Sequence, residues 1–173
     1  TKKKCAVFYS LSLLKNQFYM NPIVIRSHAD FEQFVGKEIG VSDYIKITQD
    51  QINMFADATL DHQWIHVDEE RCKNESPFKA TIAHGYLNLS VLPHLWEQIV
   101  DVQNSKLTVN YGIEKLRFGQ AVTVNSEVRV RCKLLSLVNL RGISKAEIQA
   151  VLEIKDSKKP AFDGTIVFLY HFI

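Results

Sequence analysis

An aspartate and a histidine stand close together in Asp61-His62-Gln63-Trp64-Ile65-His66, and Ala83-His84-Gly85 follows after a polar connector. A carboxylate and an imidazole beside large apolar neighbours can hold one water between them, with histidine as the proton acceptor near neutral pH. Gly85 opens the most hydrophobic helical segment of the chain. A helix N-terminus offers unpaired N–H groups and a partial positive charge, and glycine lets a ligand oxygen approach the backbone closely. Donors placed in this way stabilise an enolate-like oxygen by roughly 3 kcal/mol each. Asp61 and His66 are therefore the candidate catalytic pair, and Gly85 is the candidate oxyanion donor. Each also has a plainer reading: Asp61 as a loop cap, His66 as a satisfied core histidine, Gly85 as a residue needed only for the turn.

Other chemistries are less well supported. Asp61, His62, His66 and His84 are all possible metal ligands, but there is no HExxH and the Trp64-Ile65 interior breaks helical ligand spacing, so no metal is expected. Ser90 lies in the apolar helix without a G-x-S-x-G around it. Cys5, Cys72 and Cys132 form no CxxC pair and lack a basic setting that would activate a thiolate. Their odd number argues against a disulfide framework and for a reducing, cytoplasmic location. Lys115 and Arg117 could steer an anionic ligand, or serve as solvated or ion-paired charges.

The elements that must position these residues are legible in part. Asp30 can cap a helix over 31–35 that Gly36 ends. A short strand over 44–47 precedes the capping box Thr48-Gln49-Asp50-Gln51, and Ile52, Phe55 and Ala56 follow at helical spacing to about Thr59. The chain then enters the Asp61–His66 loop, a polar helix over 68–74 and the break at Ser76-Pro77. The main helix spans 85–100 and is apolar nearly all round, so other structure must surround it; Pro93 predicts a kink. Beyond it the period changes to two. Strands are predicted over 107–111, 122–134 (with Ser126 the one break), 146–154 and 164–173, with a turn over 156–160. An apolar helix ahead of one-sided antiparallel strands makes an α+β fold, a curved sheet wrapped round a long central helix.

The 173 residues, 46% hydrophobic and 23% charged, suit one domain, assigned to 20–173. Residues 1–19, three lysines and then an apolar run, look superficially like a signal peptide but lack a small-x-small cleavage site. They are read as an extension or an upstream artefact, with Met20 as the natural start and a membrane-export signal as the alternative. The net charge of +2 gives no reason to expect nucleic acid, and no apolar run reaches the roughly 18 residues of a membrane span.

Asp61-x-Gln-Trp-Ile-His66, then Ile82-Ala83-His84-Gly85-Tyr86-Leu87, resembles the MaoC-like dehydratase family, and specifically its NodN-like branch. Tyr111-Gly112-Ile113-Glu114-Lys115-Leu116-Arg117-Phe118 is similar to that branch's strand entry, and the resemblance covers roughly 40–173. The family's usual loop reads Gly-Asp-x-Asn-Pro-x-His, so Leu60, Gln63 and Trp64 depart from it. The resemblance implies a hot-dog fold, a homodimer, and (R)-specific hydration of trans-2-enoyl-CoA with the reverse dehydration. It assigns Asp61 and His66 to the water, Gly85 to the thioester oxygen, and Gln63, His84 and Arg117 to substrate binding. It requires no metal or redox cofactor, because coenzyme A is part of the acyl-CoA substrate. An idle acyl-CoA-binding module and an acyl-CoA thioesterase are the alternatives on the same scaffold.

Overall fold

The computed structural model describes residues 22–173; the expectations for residues 1–19 and for Met20 lie outside them. Strand β1 (Ile23–Ile25) leads into α1 (His28–Glu32), then β2 (Glu38–Val41) and β3 (Ile45–Lys46). Helices α2 (Gln49–Thr59), α3 (Trp64–Val67) and α4 (Glu69–Glu75) form a helical excursion before α5 (Gly85–Ser90) and α6 (Leu92–Glu97). Strands β4 (Val100–Val102), β5 (Ser105–Phe118), β6 (Glu127–Leu140), β7 (Ile143–Ile154) and β8 (Phe162–Phe172) complete the chain.

The main sheet has six strands in the order β2-β6-β7-β8-β5, with β3 also paired to β6. Its strand pairings are antiparallel. Alternation builds its inner face: Val128, Val130, Cys132 and Leu134 on β6, and Ala146, Ile148, Ala150 and Leu152 on β7, are fully buried or nearly so. Leu87, Leu92, Leu95 and Trp96 of α5 and α6 fill the same core. The outer face is charged, where Glu153 accepts from both Arg129 (2.7 Å) and Arg131 (2.8 Å). One-sided burial of this kind fixes strand register, because a one-residue slip would turn every inward side chain outward. The result is the expected α+β hot-dog arrangement, a curved antiparallel sheet around a central helix.

Several local expectations are corrected. The first helix is capped by Ser27, whose hydroxyl accepts from Asp30 N; Asp30 lies in its first turn and accepts from Arg26 N at 2.8 Å. The central helix is not one rod over 85–100. It breaks at Val91 and stops at Glu97, after which Val100 joins β4. Pro93 lacks the N–H that would continue the ladder. The bonds Val91 N to Leu87 O and Leu95 N to Val91 O, both 3.1 Å, carry the helical path across the break. The strand expected over 122–134 begins at Glu127, because Thr123–Ser126 closes a turn with Asn125 at φ 66°. Strand β5 is much longer than 107–111, and β1 pairs with β4 in parallel, which no residue pattern had indicated.

Candidate active site

The acid-bearing loop is placed by α2. Thr48 and Gln51 form the reciprocal capping box, and Ile52 and Ala56 bury one face of the helix. The helix ends on Leu60 in the left-handed conformation, φ 61° and ψ 20°. That turn delivers Asp61, whose side chain is about half exposed. His66 lies on the single turn α3, not in an open loop, and its main-chain N–H donates to Gln63 O at 2.9 Å. The turn is held from below, where the Cys72 thiol contacts Ile65 O (3.5 Å) and the Arg71 guanidinium lies over the Trp64 ring (4.3 Å).

The histidine of the second motif arrives on a short extended segment. Ala83 N donates to Val122 O (2.8 Å), Val124 N to Thr81 O (2.9 Å), and Ile82 N to Ile65 O (3.1 Å). His84 is then the N-cap residue of α5. Its ring stacks on His66 with centroids 3.7 Å apart and 26° between planes, and Phe55 packs at 5.1 Å. Both histidines are buried, and each holds one main-chain carbonyl: His66 Nδ1 to Ile82 O at 2.7 Å, and His84 Nε2 to Asp61 O at 2.9 Å. A carbonyl oxygen can only accept, so the protons sit on His66 Nδ1 and His84 Nε2. His66 therefore keeps a lone pair on Nε2. Burial holds its pKa below the ordinary histidine value; the Ile82 bond opposes that shift, the nearby His84 adds to it and Asp61 works against it. The imidazole is thus kept in the form that accepts a proton.

Asp61, His66 and His84 each bring a polar atom within 4.8 Å of the others, and Asp61 Oδ2 stands 4.0 Å from His84 Nε2. Three such atoms could face one ion. One nitrogen of each histidine is engaged by a main-chain carbonyl, which leaves a single ring nitrogen on each to meet such an ion. The fourth residue of the metal reading, His62, pairs instead with Asp57 at 2.8 Å on the surface.

The family comparison matches the description "MaoC like domain" over residues 30–154. The chain belongs to the MaoC-like domain family. A 3-hydroxyacyl-thioester dehydratase Z of Mycobacterium tuberculosis is 45% identical over 136 residues, 78% of this chain and 89% of that protein. Nodulation protein N of Rhizobium leguminosarum bv. viciae is 38% identical over 149 residues, 84% and 92% of the two chains. The fold is also that of an unliganded (R)-hydratase from Pseudomonas aeruginosa, with a TM-score of 0.66, 19% identity, and 86% and 87% of the two chains covered.

Against the MaoC-like pattern, Leu60 occupies the position usually held by glycine, and its positive φ explains that preference. Its side chain is 81% exposed and lines neither of the two clefts described below. Gly85 is half-buried, and a Cβ there would come within 3.2 Å of the Phe118 ring, so a packing requirement is added to any role in ligand approach. Gln63 is exposed at the start of α3, where its side chain makes no capping bond. Arg117 is exposed on β5, next to Phe118 and, by strand alternation, on the opposite face from it. Asp61, His66 and His84 are thus brought together, whereas Gln63 and Arg117 stand outside the cluster.

One residue that belongs to this site escaped notice in the sequence. Gln49 reaches His66 O at 2.8 Å and Thr81 Oγ1 at 2.5 Å. Only its place within the capping motif, directly ahead of the acid-bearing helix, could have drawn attention to it. Two neighbouring clefts run along α5 and α6 against β5 and β8, of about 430 and 470 Å³, sharing Pro93, Asn110 and Phe168.

Proposed function

We propose that this protein is a hydro-lyase that adds water to trans-2-enoyl-CoA to give (R)-3-hydroxyacyl-CoA and catalyses the reverse dehydration. The observation that carries the reading is His66 held by Ile82 O with Nε2 free, in one cluster with the half-exposed Asp61 carboxylate. Nε2 takes a proton from a water that Asp61 orients, and the water oxygen bonds to the β-carbon. The electron pair of the double bond moves to the α-carbon and thioester oxygen, where the Gly85 N–H stabilises the enolate. A proton then returns to the α-carbon, so that H and OH have been added across the double bond. Gln63, His84 and Arg117 are assigned to binding and orientation, His84 through its bond to the Asp61 backbone. The scheme calls for no metal or redox cofactor.

The name of the mycobacterial relative, a 3-hydroxyacyl-thioester dehydratase, supports the same substrate class. Both clefts fall in the size range of small-molecule sites. The one lined by Leu89, Leu92, Ile113 and Ile166 offers apolar room for an acyl chain along the helix, whereas the other also carries Glu97 and Asp101. Neither is lined by Asp61, His66 or Gly85. A homodimer is also proposed: β5 is a sheet edge that exposes Leu107, Tyr111, Ile113 and Phe118, which a second copy would cover. Among the described residues no helix is long and apolar enough to cross a membrane, and Cys72 and Cys132 are free thiols, in keeping with a reducing, cytoplasmic setting. Incubation with crotonyl-CoA or longer enoyl-CoA tests the activity. Loss of enoyl-thioester absorbance without release of free thiol is expected. Thiol release, or binding without turnover, would overturn the reading in favour of a thioesterase or an idle acyl-binding module.

A further inference from the structure

Gln49, the first residue of α2, uses its whole amide to join two segments that are distant in sequence. Nε2 donates to His66 O (2.8 Å) and to Asn53 Oδ1 (2.9 Å), while Oε1 accepts from Thr81 Oγ1 (2.5 Å). Because the His66 carbonyl can only accept, the orientation of the amide is settled. Thr81 is 1% exposed and precedes Ile82, whose carbonyl holds His66 Nδ1 at 2.7 Å. The Gln49 bridge therefore spans the same two strips of chain as the bond that fixes the tautomer of His66. A second bond between them, Ile82 N to Ile65 O at 3.1 Å, involves backbone only.

We propose that Gln49, acting with Thr81, is a positioning residue that sets the distance between α3 and Ile82 and so keeps the His66 proton on Nδ1 and its lone pair on Nε2. Hydrogen bonds weaken steeply with misalignment, so small slippage between these segments weakens the Nδ1–H to Ile82 bond. The two neutral tautomers of imidazole are close in energy, and losing one net hydrogen bond shifts their ratio by about tenfold. Molecules with the proton on Nε2 cannot accept one from water there. The kinetic consequence rests on the hydratase reading; the tautomer consequence does not.

The test combines ring ¹⁵N spectra of histidine-labelled protein with steady-state kinetics. Gln49→Met, which keeps length and volume, is compared with Thr81→Val and Thr81→Ser, each checked for folding by circular dichroism. Gln49→Glu serves if Gln49→Met does not fold. Wild type is expected to show His66 protonated at Nδ1. Gln49→Met and Thr81→Val are expected to shift the His66 signals towards a tautomer mixture, with kcat down about tenfold and KM within about twofold. Thr81→Ser, which retains the hydroxyl, is expected to behave as wild type. The double variant is expected to be no worse than the worse single one, because both remove the same bridge. An unchanged His66 spectrum in folded Gln49→Met would overturn the proposal, as would additive losses in the double variant. A wild-type protein without hydratase activity would refute the function and leave the ring spectrum as the test of the bridge.

Discussion

Leu60 shows what a single residue gives up at this site. A leucine with φ 61° is strained, and its side chain is 81% exposed and recovers little through burial. Leu60→Gly is expected to raise stability by roughly 0.5–1 kcal/mol, read from the urea midpoint; a lower midpoint would mean that the side chain makes contacts the backbone argument leaves out. The sequence flagged this position only as a departure from a family pattern, because backbone conformation is not written in a residue type. Asp61 and His66, which the fold brings into one cluster, could be singled out because an acid and a base carry chemistry in their identities, whereas Gly85 is shown only packed against Phe118. Gln49 could not be, since what it does depends on segments that only folding brings together. His66 also makes stability depend on pH. Unfolded, it takes up a proton near pH 6.5; folded, burial holds that uptake to lower pH. The unfolded state therefore binds more protons below about pH 6.5, and stability from this group is full above that value and lost as pH falls. The unfolding midpoint should drop between about pH 7.5 and about pH 5.5, and drop less in His66→Gln.

At the scale of elements, the local signals that survived were those with a repeating physical cause. The Thr48–Gln51 box starts α2 as expected, and Thr48→Ala should cost about 1 kcal/mol in an unfolding experiment. A larger loss, with activity falling in step, would show that α2 also transmits strain to Asp61. The alternation on β7 is uninterrupted from Ser144 to Ile154, so that strand could be read directly. The central helix was readable in its apolar content but not in its end. Pro93 gave the position of the break closely, whereas the pairing of Val100 with Ile23 is non-local and three residues show no period. The same limit hid Ser27 as the cap of α1, since Asp30 is an equally good capping residue by type. Within α6, Leu95 is completely buried, and Leu95→Ala should destabilise by roughly 3 kcal/mol through lost contacts and the cavity left behind.

For the whole molecule, the one-sided sheet and the apolar helix make the architecture legible in the sequence, because burial patterns determine which surfaces must meet. Partner surfaces are harder to read from sequence. Strand β5 alternates little in burial and was seen only in its first half, yet it carries the exposed apolar edge. Ile113→Asp should convert the proposed dimer to monomer in sedimentation, and an unchanged mass would place the interface elsewhere. In the proposed reaction, whatever the assembly, His66 and Asp61 carry the proton and water chemistry. The most direct measurement is the hydration rate of an enoyl-CoA thioester by wild type, Asp61→Asn and His66→Ala at matched folded concentration. Each variant is expected to lose about 10²–10⁴-fold in kcat with its unfolding transition intact. Wild-type turnover in either folded variant would contradict the account.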